Sequence, residues 1–517
     1  MNKYLSWAFL LVLLVLAAVV SSDCALSKGE AEDSLRSFDS SVRKATDRLS
    51  VLAVQNNGRI KPLESFARER LLDIFGERTF AGLSPTLVIL SWALCPDEWS
   101  EKPIIKLEPE AVNQALAAEF SDSSLPLGMK HISPKLLRET LRTRAASEMD
   151  AAANQKKSRA WRRLQKRLRL FDSLAADLRL FPQSGSQGWA PLGDFSSASE
   201  PSGEACRELA GSLETLDASQ YDGAASRLAA ALSSAGDRLY VPGWRLVLEV
   251  YDNRISPFRL LAIVYLAIAV ISLLGYLTNR AKLVSAASVA LYLVAALHVL
   301  AVVVRGIVAG KVMASNTYEY LLAMTAVTAI GALVLKVRFK EPAFVLTGAA
   351  LCGIGLAWTV LSPLSETITQ LPPVLRSDWM TYHVGAAVLS YGVLYLAFGS
   401  AVAFLLCVGD RQSDLRSKLF EVNIKLVRLG FFLLAVGIIT GATWADEAWG
   451  RYWGWDPKES WSLVAWCIYG LCLHLRLCLP AKKHRTILVL VSLVGFTAVL
   501  FTFIGVNYIL SGLHSYG

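Results

Sequence analysis

The sequence predicts an all-α polytopic membrane bundle of about eight transmembrane helices, preceded by an N-terminal signal or anchor helix and a mainly helical extracytoplasmic domain. Three observations predict it. Of the 517 residues, 54% are hydrophobic and only 18% charged, where a soluble domain carries about a quarter charged residues. Apolar runs follow Pro257 near 258–277, 283–304, 318–335, 343–361, 383–407, 429–444, 459–479 and 487–508, each close to the roughly 20 residues that cross a bilayer core. The loops between these runs are basic on alternate sides.

In chain order, residues 1–22 combine Lys3, an apolar run from Leu5 to Val20 and small polar residues, the pattern of a signal peptide or signal anchor. Cleavage and retention both fit. Cys24 invites a lipoprotein reading, but Asp23 before it is a poor fit to such a site. Residues 23–255 form a polar region long enough to bury its own core, with a basic helical stretch from Lys156 to Arg169 and a Ser/Gly-rich loop from Ser184 to Ser202. A solvated helix face near anionic lipid explains the basic stretch better than a specific binding site. Residues 256–517 form the membrane bundle.

The eight cysteines include no C-x-x-C pair, so the chain is not itself a c-type cytochrome and has no thioredoxin-like redox motif. Cys95 and Cys206 could pair if their region lies outside the cytoplasm. The net charge of +9 is read as topology rather than nucleic-acid binding. Thirteen basic residues fall on one side: Arg280, Lys282, Lys336, Arg338, Lys340, Arg411, Arg416, Lys418, Lys425, Arg428, Lys482, Lys483 and Arg485. Five, Arg305, Lys311, Arg376, Arg451 and Lys458, fall on the other. The bias puts the polar region, Trp379 to His383, Trp444 to Lys458 and Gly517 on the outer face of a bacterial cytoplasmic membrane.

The segment from Trp444 to Trp461 holds Trp444, Trp449, Trp453, Trp455 and Trp461 in 18 residues, interleaved with Gly450, Gly454 and the Asp456-Pro457 turn. Interfacial belts account for one or two tryptophans per helix end, but not for this density. A rigid aromatic tray suits a flat, apolar, polarizable ligand.

Six histidines are present. His383 starts the fifth run, with Arg376 and Trp379 on its helix face, and His514 lies just past the last run. Both flank the tryptophan segment on its own side. Neutral imidazole is a common axial ligand of haem iron, and two on opposite faces complete its coordination. His474 lies some 15 residues into the seventh run, roughly 22 Å deep at 1.5 Å per residue, with Trp466 and Gly470 on its face. An entry station for haem made inside and a histidine capped into headgroups both fit. His298, in the second run, is a candidate partner ligand, though a packing role fits it better; His131 and His484 read as surface residues. Arg376, Arg451, Lys458 and Arg305 are candidate partners for haem propionates or for lipid phosphates.

These residues closely resemble the CcsA/ResC-type cytochrome c synthase subunit, a haem-handling family with a tryptophan-rich "WWD" signature. The match is Trp449-Gly-x-x-Trp453-x-Trp455-Asp456-Pro457-x-Glu459-x-Trp461, with Leu371-Pro-Pro-Val-Leu-x-Ser-x-Trp379-x-x-x-His383-Val, His474, and Gly505-Val-Asn507 through Gly512-Leu-His514-Ser-Tyr516. It covers roughly residues 255–517. The resemblance implies that His383 and His514 ligate the iron of haem b over the WWD segment 444–461; Trp379 and Asp456 lie in the matched motifs, and Arg376 and Arg451 stay candidates from their position on the outer face. It implies that His474 helps pass haem from the inside, and that the haem vinyl groups are presented to the two thiols of a C-x-x-C-H apocytochrome c. Arg305, Asn316, Tyr318 and Glu319 resemble a further family stretch of unassigned role, as does Val54-Gln-Asn-Asn-Gly58-Arg59-Ile-Lys61-Pro62. The family works with a ResB/Ccs1-type partner, fused or separate, that supplies a second membrane histidine. Here a separate subunit supplies it or His298 takes its place. The rival readings are a haem exporter without synthase activity and a carrier of other aromatic ligands.

Overall fold

The structure is a computed structural model. It describes residue 15 and residues 33–107, 130–147, 155–182, 188–194, 200–234, 241–311, 316–371, 375–407, 413–478 and 484–510. The signal or anchor segment (Val15 apart), Cys24, His514 and residues 184–187 and 195–199 lie outside these residues; the described part of the expected Ser184–Ser202 loop holds a strand, Trp189–Pro191, and the start of a helix at Glu200. The chain divides into two compact units, one of Cys24–Ile255 and one containing Ser256–Gly517.

The first unit is mainly helical: α1 Asp33–Ser41, α2 Arg43–Ser50, α3 Leu63–Ile74, α4 Pro85–Leu94, α5 Pro96–Trp99, α6 Pro134–Ser147, α7 Gln155–Asp172, α8 Leu174–Asp177, α9 Glu200–Thr215, α10 Ala218–Ser234 and α11 Gly243–Ile255. Its strands are β1 Ala53–Asn56, β2 Arg59–Pro62, β3 Ile105–Lys106, β4 His131–Ile132, β5 Arg179–Pro182 and β6 Trp189–Pro191. They form an antiparallel sheet in the order β2-β1-β5-β6 and a separate β3-β4 pair.

The Gln55-Asn-Asn-Gly58-Arg59 segment is a hairpin. Asn57 (φ 49°) and Gly58 (φ 72°) both take positive φ, as a two-residue turn matched to strand twist requires. The register pairs Asn56 with Arg59 and Val54 with Lys61. That register aims Arg59 at Glu249 and Lys61 at Glu69. Ser65 donates to Glu249 at 2.7 Å, and Arg68 and Arg254 both reach Glu64. Buried charges persist when paired in this way, so this family-like stretch has a structural role: it ties the hairpin to α3 and α11.

Cys95 and Cys206 are both buried free thiols, Cys95 donating to the Ala210 carbonyl. Burial pushes each up to about 12. Of the two possibilities left open for this pair, the structure has the free thiols rather than a disulfide.

Among the described residues, the second unit holds eight helices long and apolar enough to cross a membrane. They are α12 Pro257–Leu277, α13 Ala281–Ala309, α14 Thr317–Phe339, α15 Pro342–Leu361, α16 Asp378–Leu406, α17 Ser413–Trp449, α18 Pro457–Cys478 and α19 His484–Leu500, the last continued by a π turn, Phe501–Gly505, and α20 Val506–Ile509. All eight apolar runs are helices, and the chain is a multi-pass membrane protein. Polar side chains bind the bundle where lipid gives no hydrophobic drive. Asn423 of α17 donates to the Ala397 carbonyl of α16 at 2.8 Å and to Ser492 of α19 at 3.2 Å.

His131, expected at the surface, is half-buried. Its ring stacks on Phe75 at 4.2 Å, and Nε2 donates to the Phe75 carbonyl. Burial holds this imidazole below its usual range, and Lys106, Lys130 and Arg167 push the same way. The unfolded chain therefore takes up the proton first as pH falls below about 6.5. The stability this group contributes is full above that pH and is lost below it. Amides around Phe75 should lose hydrogen-exchange protection between pH 7.5 and 5.5, and His131→Phe should flatten that loss; an equal loss in the variant would remove His131 as the titrating group.

Candidate functional site

Helices α16 and α17 form the broadest helix pair of the bundle. Gly430 permits the approach, since a Cβ there would meet Leu394 at 2.4 Å, and Ser390 donates to the Gly430 carbonyl at 2.9 Å. Two turns further along α17, the same pairing opens into a cavity. His383, Ala387 and Tyr391 of α16, Gly437, Gly441 and Trp444 of α17, and Phe503 and Asn507 beyond α19 are among its lining.

His383 is fixed within that wall. Its Nδ1 lies 2.7 Å from the Gly437 carbonyl oxygen. A carbonyl only accepts, so Nδ1 carries the proton and Nε2 keeps the lone pair that can ligate a metal. The ring lies parallel to Trp444 at 6.3 Å, with 4° between planes. A Cβ on Gly441 would stand 2.6 Å from His383 Nδ1. Gly437 and Gly441, one turn apart on α17, thus make the slot that holds the imidazole.

The tryptophans do not form one tray. Helix α17 runs through Trp449 before Gly450 (φ 70°) ends it, so the expected loop over 444–461 narrows to residues 450–456. Trp444, only 2% exposed, backs His383 and meets Trp449 edge-on at 4.8 Å. Trp453 lines the cavity and meets Trp455 edge-on. Trp455 is 72% exposed. Trp461, on α18, packs against Phe501 at 4.3 Å. Trp379 lies off the cavity, exposed beside Tyr382.

Asp456 acts on the backbone. Its Oδ1 accepts from the Lys458 N–H at 2.9 Å, while Glu459 Oε2 accepts from the N–H groups of Gly454 and Asp456 at 2.8 and 3.1 Å. With Pro457 in the first helical position this is a capping box. Its sequence signature is Asp456-Pro-Lys-Glu459, the Asp456-Pro457 turn of the tryptophan segment extended to Glu459. The cap sends Lys458 into the cavity wall, where Nζ donates to Asn507 Oδ1 at 3.1 Å. Asn507 follows the π turn, a feature common at functional sites.

The other candidates separate. Arg376 donates to the Leu371 carbonyl and Gln370. Arg451 is exposed, and a Cβ on Gly454 would meet its guanidinium. Arg305 lies over the Tyr318 ring and reaches the Glu366 carbonyl. Asn316 caps α14 by accepting from the Glu319 N–H at 2.8 Å. The Arg305, Asn316 and Tyr318 stretch therefore anchors the 362–371 connection and the start of α14.

His298 is fully buried against Phe258 and Tyr265, away from the cavity lining. His474 is exposed on α18, its Nδ1 2.8 Å from the Gly470 carbonyl, so this imidazole too keeps its lone pair on Nε2. Trp466 turns inward, stacking on Phe431 at 4.8 Å. The expected stripe of Trp466, Gly470 and His474 is thus divided between two faces. His484 is half-buried beside Phe420.

Fold and site define a polytopic helical membrane protein with a histidine seated in an aromatic cavity between two spans. The cytochrome C assembly protein family matches over residues 255–514. The chain is 30% identical over 99% of its length to Protein NrfI of Wolinella succinogenes, and spans 59% of that relative. It is 32% identical to the cytochrome c biogenesis protein CcsA of Prochlorococcus marinus subsp. pastoris, over 41% of this chain and 77% of the relative. For the CcsA of Chlamydomonas reinhardtii the identity is 31%, over 43% and 65%. The chain belongs to the cytochrome C assembly protein family.

The Gly437/Gly441 slot is directly testable. Gly441→Ala should cost about 1–3 kcal/mol, the range for overpacking a filled site, and in a His383→Gly background that cost should vanish, because the clashing ring is gone. Thermal unfolding of the four proteins reads the cycle; equal costs in both backgrounds would show that the slot does not hold the imidazole.

Proposed function

We propose that this chain carries haem b to the outer face of a bacterial cytoplasmic membrane and presents it, as a subunit of a cytochrome c synthase, for covalent attachment to C-x-x-C-H apocytochrome c. The observation that carries the reading is His383, held by Gly437 in the tautomer that offers Nε2 to iron, in the wall of an apolar cavity beside Trp444 and Trp453. Family membership and relatives named for cytochrome c biogenesis support it.

The protein supplies position and haem supplies reactivity. His383 holds the iron from one side and His514, by the resemblance, from the other. Trp444 stiffens the His383 ring, and the aromatic wall keeps water from the porphyrin. Each thiol then adds across a vinyl group: a carbon–sulfur bond forms, the thiol proton goes to the other vinyl carbon, and no oxidant is consumed. Holding thiol and vinyl in register is the catalytic contribution.

His474 fits a second station shared with a ResB-type subunit. Val464, Cys467, Leu471, His474 and Cys478 are exposed along one stripe of α18 at alternating spacings of three and four, the seam a partner helix packs against. An imidazole turned to lipid is costly, and a partner helix would remove that cost. The positive-inside bias supports the orientation.

His383→Gly should abolish haem staining of a C-x-x-C-H reporter in cells supplying a ResB-type partner, with partial recovery on added imidazole. Normal maturation by the variant would overturn the ligand assignment. Haem bound by the wild type without covalent product would favour the exporter. His474→Ala should lower the haem content of the purified protein, and unchanged occupancy would reduce it to a packing residue.

A further inference from the structure

Of the four cations that could meet a carboxylate at this site, Lys458 alone lines the cavity. Arg376 and Arg305 are spent on backbone carbonyls, and Arg451 lies outside the lining. The Lys458 ammonium has a neutral partner, Asn507 Oδ1, and forms no ion pair among the described residues. Glu459, which also lines the cavity, forms no ion pair with Lys458 among the described residues; its Oε2 is turned to the Gly454 and Asp456 N–H groups. A cation buried in an apolar wall, hydrogen-bonded to an amide and touched only at longer range by the Asp456 carboxylate, is costly unless an anion arrives to pair with it.

A second, independent observation concerns Tyr320 of α14. It is 8% exposed and lines the same cavity, and its buried Oη has no hydrogen-bond partner. A buried hydroxyl left unpaired costs about 1–3 kcal/mol, which a ligand acceptor would recover. Tyr320 and Lys458 rest on one short segment. The Tyr320 ring packs on Phe503 at 4.4 Å, and Lys458 holds Asn507, one helical turn further on.

We propose that Lys458, oriented by Asn507, and Tyr320 Oη form a carboxylate seat for the propionate edge of the haem. This deepens the proposed function and rests on it. In haem the propionates occupy the edge opposite the vinyl groups, so the seat sets which edge faces the apocytochrome thiols. Lys458 and Tyr320 are then positioning residues for the reaction, selecting one of the in-plane orientations that the axial histidines permit. The capping box gains a purpose in the same arrangement: it fixes the direction in which Lys458 leaves the helix and withdraws Glu459 from it.

The test is a Soret titration of the full-length protein with haem and with haem dimethyl ester, whose propionates are neutral. Wild type should bind haem at least ~10-fold more tightly than the ester, the size of one charge-assisted hydrogen bond. Lys458→Met should lose most of that preference by weakening haem alone, Lys458→Arg should keep it, and Tyr320→Phe should reduce it several-fold. Equal weakening of both ligands by Lys458→Met, or an unchanged preference, would overturn the seat. Should wild type bind both ligands equally through His383, the haem reading stands and the seat falls. Should neither ligand give a His383-dependent Soret band, the haem reading falls and the seat with it.

Discussion

The hydrogen bond from His383 Nδ1 to the Gly437 carbonyl joins the packing of the bundle to its chemistry. It selects a tautomer, and so decides which nitrogen can meet a metal. It exists because α16 and α17 approach closely, with Ser390 reaching the Gly430 carbonyl nearby. Remove the side-chain space at Gly441 and the imidazole has nowhere to lie. Trp444 then reads as the wall that stops the ring turning, as well as part of the cavity lining. The same device recurs within α18, where His474 donates to the Gly470 carbonyl.

The cavity is assembled from pieces distant in sequence, each delivered by a local rule. The capping box starts α18 at Pro457 and sends Lys458 inward. Asn316 starts α14 and brings Tyr320 one turn later. The π turn carries Phe503 and Asn507 to the same wall. None of these caps is worth more than about 2 kcal/mol, yet each fixes the direction of a side chain that the cavity uses. Capping thus specifies the geometry of the site more than it adds to its stability.

Much of the fold was legible in the sequence, because an apolar run near bilayer length admits few structures other than a helix. Ends and depths were less legible. The run at 429–444 belongs to a helix of 37 residues, about 55 Å at the α-helical rise. Its flanks are polar and hydropathy passes over them. His383 could be found from its place beside the tryptophans, but its tautomer could not, since Gly437 lies on another helix. The tryptophan density suggested a tray because sequence spacing carries no direction. On a helix that continues to Trp449, Trp444 turns to the histidine and Trp455 to the exterior. Choosing Lys458 over three arginines needed tertiary structure, as did the burial of His131. The cap at Asp456-Pro-Lys-Glu459 is different: its signature is local and legible in the sequence, because an N-cap acid and a glutamate three residues on need no tertiary partner.

The π turn at Phe501–Gly505 has a geometric consequence. Widening one turn inserts a residue into an otherwise regular ladder, and a residue is about 100° of rotation about the axis. Everything beyond the insertion is turned by that angle relative to an uninterrupted helix, while the span before it keeps its packing face. Asn507 meets Lys458 because of that phase shift. The end of the last span is therefore aimed by a count of residues as much as by their identity.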